Sequence, residues 1–423
     1  MLSRTFVQKR LKVNVRVLIL SQYFWPESFR INEVAKTLLE KGIEVEVLTG
    51  KPNYPRGVIF PGYRAWGCQR EIYQGININR IPLLERGGGG WRLALNYLSF
   101  VVSGLIFSPW MLRKKKFDVI FVYAPSPVLQ AIPAILLGWL KGCPVVLWVQ
   151  DLWPESLSAT GHVRNRAVLK LVEWVVCFIY RHTDLLLVQS RAFEEPVSAF
   201  ASGTPVVYYP NSVDESFAVP TKNTLPDVAG LGRGFSVMFA GNIGAAQAVG
   251  VIIEAASLLR EYSDIHFVVL GEGSRWEWMQ QEAQRRELNN LHLPGRFPVE
   301  TMPGFMQKAS ALLVTLADQE IFKATIPSKV QAYLAAGRPI LACLNGEGAS
   351  LVTEAGAGLA VAAEDGQALA DAILHLYRMT PQERESMGKH GRLYYAQHFA
   401  HDKLVDQLIG YLRSACDRKE KSK

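Results

Sequence analysis

The amino-acid sequence predicts an α/β protein built of two doubly wound parallel sheets. Three observations carry this reading. Short apolar runs alternate with segments of helical periodicity along most of the chain, the pattern that parallel strands and crossover helices produce. The alternation pauses over residues 218–234, where Pro220, Pro226, Gly230, Gly232 and Gly234 gather, and then restarts. At 423 residues, 49% hydrophobic and 20% charged, the chain is long and apolar enough for two sizeable globular cores. The expected division is a first domain over 13–217, a linker over 218–234, a second domain over 235–398 and a closing helix over 399–417.

The first half opens with a basic leader, residues 1–12, followed by the apolar run 15–20 (VRVLIL). Asn14 and Arg16 interrupt any signal-peptide core, so this run reads as a first strand behind a short tail. Ser28 is placed to cap a helix carrying Ile31, Val34, Ala35, Leu38 and Leu39 on one face, with Gly42 closing it. Residues 43–48 form the next strand, and the turn-rich loop 51–57 (KPNYPRG) leaves the same sheet edge. Strands follow at 117–123, 144–149, 185–189 and 205–209, with helices over 129–140 and 168–180. In open α/β sheets ligands sit at the carboxyl ends of the strands, which is where Arg30, Asn53, Tyr54, Gln150, Asp151 and Glu155 fall.

Residues 93–112 are 20 residues without a charge, bounded by Arg92 and by Arg113-Lys114-Lys115-Lys116. Length and flanks reach the criterion for a membrane span. Asn96, Ser99, Ser103, Gly104, Ser108 and Pro109 dilute it, and a strand follows at once. A buried helix, or a basic, aromatic-rich helix lying on an anionic membrane, is the expectation.

In the second half, 237–240 is an apolar run ending at Gly241-Asn242-Ile243-Gly244, with helical spacing from Val249 to Leu259. A glycine turn of this kind either lets backbone amides approach a phosphate at a helix N-terminus or simply makes a tight connection. Further strands are expected at 265–270, 291–293, 311–315, 339–342 and 358–361. Before the run at 339, Pro327 or Ser328 starts a helix that Gly337 ends. This leaves Lys329 in a first turn, against the helix dipole. Either the lysine points to solvent or the site holds an anion.

Charge is uneven. Residues 1–214 hold 25 Lys/Arg and 15 Asp/Glu, and the remainder 21 and 23. The basic half suits an anionic membrane or a phosphorylated substrate. Five widely spaced cysteines without a C-x-x-C pair read as buried reduced thiols of a cytosolic protein. No His cluster or D-x-D motif suggests a metal, and neither half has the dinucleotide fingerprint of a dehydrogenase.

Taken together, YFWPESFRINEVAKTLLEKGIEVEVLTGKPNYPRG (23–57), WVQDLWPES (148–156), PNSVD (210–214), FAGNIGAAQ (239–247), LGEG (270–273) and IPSKVQAYLAAGRPI (326–340) resemble the retaining GT-B glycosyltransferases of family four. The nearest flavour is the branch that assembles bacterial O-antigen, capsule and colanic acid. That resemblance implies two facing Rossmann-like domains, the second binding a nucleotide diphosphate sugar and the first an acceptor.

It places the donor diphosphate over Gly241, Asn242, Gly244 and Gln247, with Ser328, Lys323 and Lys329 beside it and Arg30 reaching across from the first domain. Asn242 and Gln247 stand where many relatives carry Arg and Lys, so the lysines would carry more of the charge. Gly271, Glu272, Arg296 and Phe297 would line the base pocket. The relatives' E-x7-E pair is replaced by Ala324 and Ala332, with Glu320 as a substitute carboxylate. Asn53 and Tyr54 would meet the acceptor. Gln150-Asp151 stands where many relatives have His-Asp, so Asp151, with Glu155 nearby, would act as base or orient a hydroxyl, unless it only caps the next turn.

The resemblance thus implies transfer of a HexNAc or deoxy-HexNAc from a UDP-linked donor to a lipid diphosphate-linked acceptor. It also implies a location in the cytoplasm, peripheral on the inner face of the cytoplasmic membrane, with no cofactor, no metal and no nucleic acid partner. A non-catalytic nucleotide-binding scaffold at the membrane is the alternative that the missing Glu pair and Gln150 leave open.

Overall fold

A computed structural model describes residues 15–87, 90–159, 165–213, 215–219 and 225–421. The expected leader over 1–12, Asp214 of the PNSVD stretch and Pro220 of the expected linker lie outside the described residues. The chain divides into two compact units, Met1–Pro210 with Asp402–Lys423, and Asn211–His401.

In the first unit, eight strands lie in the order β3-β4-β2-β1-β5-β6-β7-β8. They are β1 (Arg16–Leu20), β2 (Glu44–Thr49), β3 (Gln69–Tyr73), β4 (Ile76–Arg80), β5 (Val119–Ala124), β6 (Val145–Val149), β7 (Leu185–Val188) and β8 (Val206–Tyr208). Central β1 pairs with β2 and β5 in parallel, Ile19 lying opposite Val47 and Phe121. Both faces of this centre are buried, so β5 and β6 are apolar at every position. A wholly parallel sheet was expected, but β3 runs antiparallel to β4 at the edge. Its alternating, half-exposed QREIY lacks the continuous apolar run that marks the other strands.

The helices of this unit are α1 (Arg30–Glu40), α2 (Gly90–Met111), α3 (Ala131–Lys141), α4 (Glu155–Ala159), α5 (Arg166–Arg181) and α6 (Glu194–Ala201). Helix α1 buries the expected Ile31, Val34, Ala35 and Leu38. Its cap differs: Phe29 holds that position without a side-chain bond, so Ser28 does not cap it. The turn before it is tied instead by Asn32, which accepts from the Trp25 amide at 3.1 Å and donates to the Glu27 carbonyl at 2.7 Å.

In the second unit a wholly parallel six-stranded sheet has the order β11-β10-β9-β12-β13-β14. Its strands are β9 (Phe235–Ala240), β10 (Ile265–Leu270), β11 (Leu291–Gly295), β12 (Ala311–Thr315), β13 (Ile340–Cys343) and β14 (Gly358–Val361). Around it lie α7 (Gly250–Leu258), α8 (Trp276–Arg285), α9 (Met302–Lys308), α10 (Glu320–Lys323), α11 (Ser328–Ala336), α12 (Glu347–Glu354), α13 (Gly366–Arg378) and α14 (Pro381–His398). Two apolar clusters, one on each face, form its core.

Two boundaries differ from expectation. Val228 and Leu231, within the expected linker, are buried in the core of the second unit, and the division falls at Pro210 and Asn211 instead. Helix α15 (His401–Lys421) belongs from Asp402 onward to the first unit. Its Leu404, Val405, Leu408, Leu412 and Ala415 join the cluster that holds Val17 and Val119. Tyr209 Oη donates to the Leu404 carbonyl at 3.1 Å, and Lys41 pairs with Asp406 at 2.9 Å. Helical periodicity shows that an apolar face needs cover, but it does not say which surface supplies it.

The cysteines are all free. Cys143 and Cys343 are buried as expected, whereas Cys68 is exposed and Cys177 and Cys416 are half-buried.

Candidate functional site

The residues singled out in the sequence fall into two groups, one on each unit, both at the carboxyl ends of parallel strands.

On the second unit, β9 runs out at Ala240, whose amide donates to the buried Tyr333 Oη at 3.2 Å. The turn beyond it is interlocked with the loop after β10. Gly241 N donates to Leu270 O at 2.8 Å and Ile243 N to Glu272 O at 2.9 Å, while Gly271 N reaches Gly295 O at 2.9 Å. Such close approach requires glycine. A Cβ on Gly271 would lie 1.8 Å from Gly241 O, and its φ of +148° is one that L side chains rarely adopt.

Gly241, with φ +137°, makes room for a side chain: a Cβ there would lie 2.5 Å from Cε of Lys329. One of the two readings of the glycine turn has its amides offered to a phosphate directly at a helix start. Instead, the amides of Gly241 and Ile243 are spent within the fold, and Gly244 N donates to Gln247 Oε1 at 3.2 Å. A single 3-10 turn (Ala245–Gln247) and Ala248 at φ +44° separate the turn from α7. Asn242 and Gln247 side chains bond each other at 3.3 Å across the turn.

Lys329 is the centre of this group. It sits in the first turn of α11, and its Nζ lies 3.7 Å from the centre of the Phe239 ring. Among the described residues no carboxylate pairs with it, and burial pulls its ammonium down to about 7. A cation over an aromatic face, at a helix N-terminus and beside an exposed glycine turn, is arranged to receive an anion. Ser328, exposed as the first residue of α11, flanks it.

Lys323 is placed differently. It ends α10, with its ammonium 3.4 Å from Asp318 and 2.5 Å from Glu320, so its charge is already met. The same pairing occupies the Glu320 carboxylate, which is otherwise 88% exposed. Ala332 is buried and Ala324 follows α10, so no carboxylate stands at either place. Glu272 and Arg296 are exposed on neighbouring loops, and Phe297 packs edge-on against Phe305 at 5.0 Å between centroids.

On the first unit, Asp151 follows β6. Burial pushes its carboxyl up to about 6, outweighing the opposing pull of the polar groups of Ser156, Trp153 and the Leu152 backbone nearby. The Gln150 amide donates to Ala124 O at 3.3 Å, anchoring the turn to the end of β5. Glu155 is exposed at the start of α4. Arg30 is half-buried at the start of α1, near Tyr123, whose hydroxyl burial pushes up to about 12 against the smaller opposing pull of the guanidinium.

Asn53 and Tyr54 part company. Asn53 is fully buried, its Nδ2 donating to Lys51 O at 2.9 Å, so it helps to shape the loop. Tyr54 is 38% exposed beside the stacked pair of Tyr23 and Phe29, and the Arg86 guanidinium lies 5.3 Å from its ring centre. Both amides are held by Glu27, which the sequence reading missed. Glu27 Oε1 accepts from Asn53 N at 2.8 Å and Tyr54 N at 2.7 Å. The carboxyl is buried and pushed up to about 7. Its partners lie 26 and 27 residues away, so only an acid in the aromatic stretch YFWPESF signalled it.

Among the described residues no group of three His, Cys, Asp or Glu side chains gathers that could hold a metal ion.

Residues 28–212 match the family model described as "Glycosyl transferase 4-like domain", and residues 234–379 that of "Glycosyl transferases group 1". The chain is 23% identical over 352 residues to "Putative colanic acid biosynthesis glycosyl transferase WcaI" of Escherichia coli K12, covering 76% of this chain and 82% of the relative. It is 27% identical over 314 residues to "Probable glycosyltransferase WbjE" of Pseudomonas aeruginosa, covering 72% and 75%.

Solved structures share the fold at low identity. A sucrose-phosphate synthase from Thermosynechococcus elongatus superposes with a TM-score of 0.73 at 15% identity, over 95% of this chain and 98% of that one. Anabaena HepE in complex with UDP superposes at 0.66 and 13%, over 95% and 100%. Two matched segments, each on its own parallel-sheet unit, and the shared GT-B fold lead to one conclusion: the chain belongs to the group 1 glycosyltransferases with a 4-like N-terminal domain.

Proposed function

We propose that the protein is a retaining glycosyltransferase that moves a sugar, a HexNAc or deoxy-HexNAc, from a UDP-linked donor to a lipid diphosphate-linked acceptor. The setting is bacterial surface polysaccharide synthesis at the inner face of the cytoplasmic membrane, in keeping with the colanic acid name of one relative. The observation that carries the reading is Lys329, a half-buried cation over Phe239 and Gly241 without a carboxylate partner among the described residues.

In this reading the second unit binds the donor diphosphate against Lys329, Ser328 and the Asn242–Gln247 turn. The acceptor lies on the first unit near Tyr54 and Asp151. The bond from the anomeric carbon to the phosphate oxygen breaks as negative charge grows on the diphosphate, which Lys329 stabilises without a metal. The acceptor oxygen forms the new bond on the same face. Its proton passes to the leaving phosphate, with Asp151 orienting the hydroxyl, or to Asp151 itself.

The test is a transfer assay with the purified chain, a lipid diphosphate-linked sugar and a panel of UDP-, GDP- and ADP-sugars, with product anomer read by NMR. Transfer from a UDP-HexNAc with retained configuration is expected. UDP binding without transfer of any sugar would favour a nucleotide-binding scaffold instead.

A further inference from the structure

The first unit carries an apolar face that the fold leaves uncovered, and it is wider than the one helix the sequence singled out. On α2, Trp91, Leu95, Leu98, Val102, Ile106 and Trp110 are all exposed, Trp91 and Trp110 at 65% and 60%. Their spacing of three or four residues puts them on one stripe of the helix. Helix α2 packs on α3, and α3 on α5. Both neighbours add to the face: Trp139 and Leu140 at the end of α3, and Val168, Leu171 and Trp174 along α5, the last 66% exposed. The stripe of α2 also continues into a groove of about 320 Å³ lined by Trp66, Leu83, Leu84, Leu95, Leu98 and Val102. Monomeric soluble surfaces rarely expose so many large apolar side chains contiguously.

The charges around the face have one sign. Residues 90–116, 131–141 and 166–181 hold nine Lys/Arg and a single acid, Glu173. At each end of α2 an arginine lies over a tryptophan ring, Arg92 on Trp91 at 5.4 Å and Arg113 on Trp110 at 5.3 Å from the centroid. Tryptophan with an adjacent cation is the pair that settles at the headgroup level of a bilayer.

Helix α2 is long and apolar enough to cross a membrane, yet its inner side is committed to the fold. Asn96 is fully buried, its Oδ1 accepting from Gln22 Nε2 at 2.7 Å. Gly104 lies so close to Pro133 that an added Cβ would come within 2.8 Å. Spanning would break these contacts and leave buried polar groups without partners, so α2 lies along the surface.

We infer that α2, the end of α3 and α5 form one platform that docks in plane on an anionic lipid bilayer, apolar side chains in the acyl boundary and basic residues against the headgroups. This deepens the reading of a lipid-borne acceptor. It is measured without any sugar substrate, so either can fail alone.

Vesicle flotation of the full chain tests it, using liposomes of phosphatidylethanolamine with about one third phosphatidylglycerol, and phosphatidylcholine alone. Strong flotation with the anionic vesicles, weakening with salt, is expected. Ile106→Glu on α2 and Trp174→Glu on α5 should each reduce the bound fraction at least about tenfold, since a charge enters the acyl boundary. Leu258→Glu, an exposed apolar site on the second unit, should leave it unchanged.

Flotation that survives Trp174→Glu would remove α5 from the platform. Equal binding to both vesicle types would overturn the role of the basic rim. A dimer in lipid-free buffer that Ile106→Glu and Trp174→Glu disperse, with no flotation of the parent chain, would make a second copy the occupant and overturn the proposal.

Discussion

Replacing Lys329 by methionine removes the charge and keeps most of the packing over Phe239, which makes it the sharpest test of the donor site. Burial lowers the ammonium from 10.5 to about 7. Between those values the unfolded chain holds a proton that the folded chain has released, so this group makes stability rise with pH across the window. At pH 7 and below the folded protein carries the full cost of the buried charge.

At about 1.4 kcal/mol per pH unit, the shift corresponds to about 5 kcal/mol before screening. Lys329 retains some exposure, and water screens it, so we expect Lys329→Met to stabilise the unliganded protein by about 1–2 kcal/mol at pH 7. For a domain of this size that is about 2–8 °C in Tm. The variant should also lose the rise in stability from pH 7 to 10.

Nucleotide binding should move the other way. A charge-assisted bond to phosphate is worth about 1.5–3 kcal/mol, so Kd for UDP should rise about 10- to 100-fold. In the parent protein UDP binding should weaken as pH rises above 7, because the free lysine loses its proton there, and the variant should show no such slope. Thermal shift and calorimetric titration from pH 7 to 9 read both effects. A variant that binds UDP as tightly as its parent, or that is less stable without ligand, would refute the assignment of Lys329 as an unsatisfied cation awaiting a diphosphate.

Two further perturbations probe the rest of the site. Burial holds the Asp151 carboxyl at about 6, above its ordinary 3.8, so the folded chain keeps a proton between those values that the unfolded chain has lost. Its contribution to stability therefore falls as pH rises through that window, and Asp151→Asn should be slightly more stable than its parent at pH 7. If Asp151 orients or deprotonates the acceptor, transfer should drop about 10²- to 10⁴-fold in that variant, with the acid limb of kcat/KM near pH 6 flattened. A parental rate with an unchanged limb would take Asp151 out of the reaction. Gly271→Ala sets a Cβ 1.8 Å from Gly241 O at a left-handed φ, and should cost about 3 kcal/mol or more in denaturant unfolding. A change under about 0.5 kcal/mol would mean the two loops are not interlocked as described.

Much of the architecture is written locally in the chain. Apolar runs such as VIFVYA and FSVMFA become strands buried on both faces, because a parallel sheet covered by helices on both sides needs no polar alternation. Pro327, Ser328 and Gly337 bound α11 as their backbone preferences require, which set Lys329 in a first turn. Those are local rules, and the chain states them locally.

What the sequence could not decide depended on partners distant along the chain. Glu27 became visible only when the fold brought the amides of Asn53 and Tyr54 onto its carboxylate. Lys323 and Lys329 looked alike in sequence, yet Asp318 and Glu320 neutralise one while Phe239 and Gly241 isolate the other. Helix α15 showed an apolar face whose cover, the first unit's core, no periodicity could name. The exposed stripes of α2, α3 and α5 are ordinary apolar spacing one by one, and only their packing joins them into a surface. Strand and helix follow from short-range sterics and burial pattern, whereas the charge state and exposure of a side chain are set by whichever residues tertiary packing places against it.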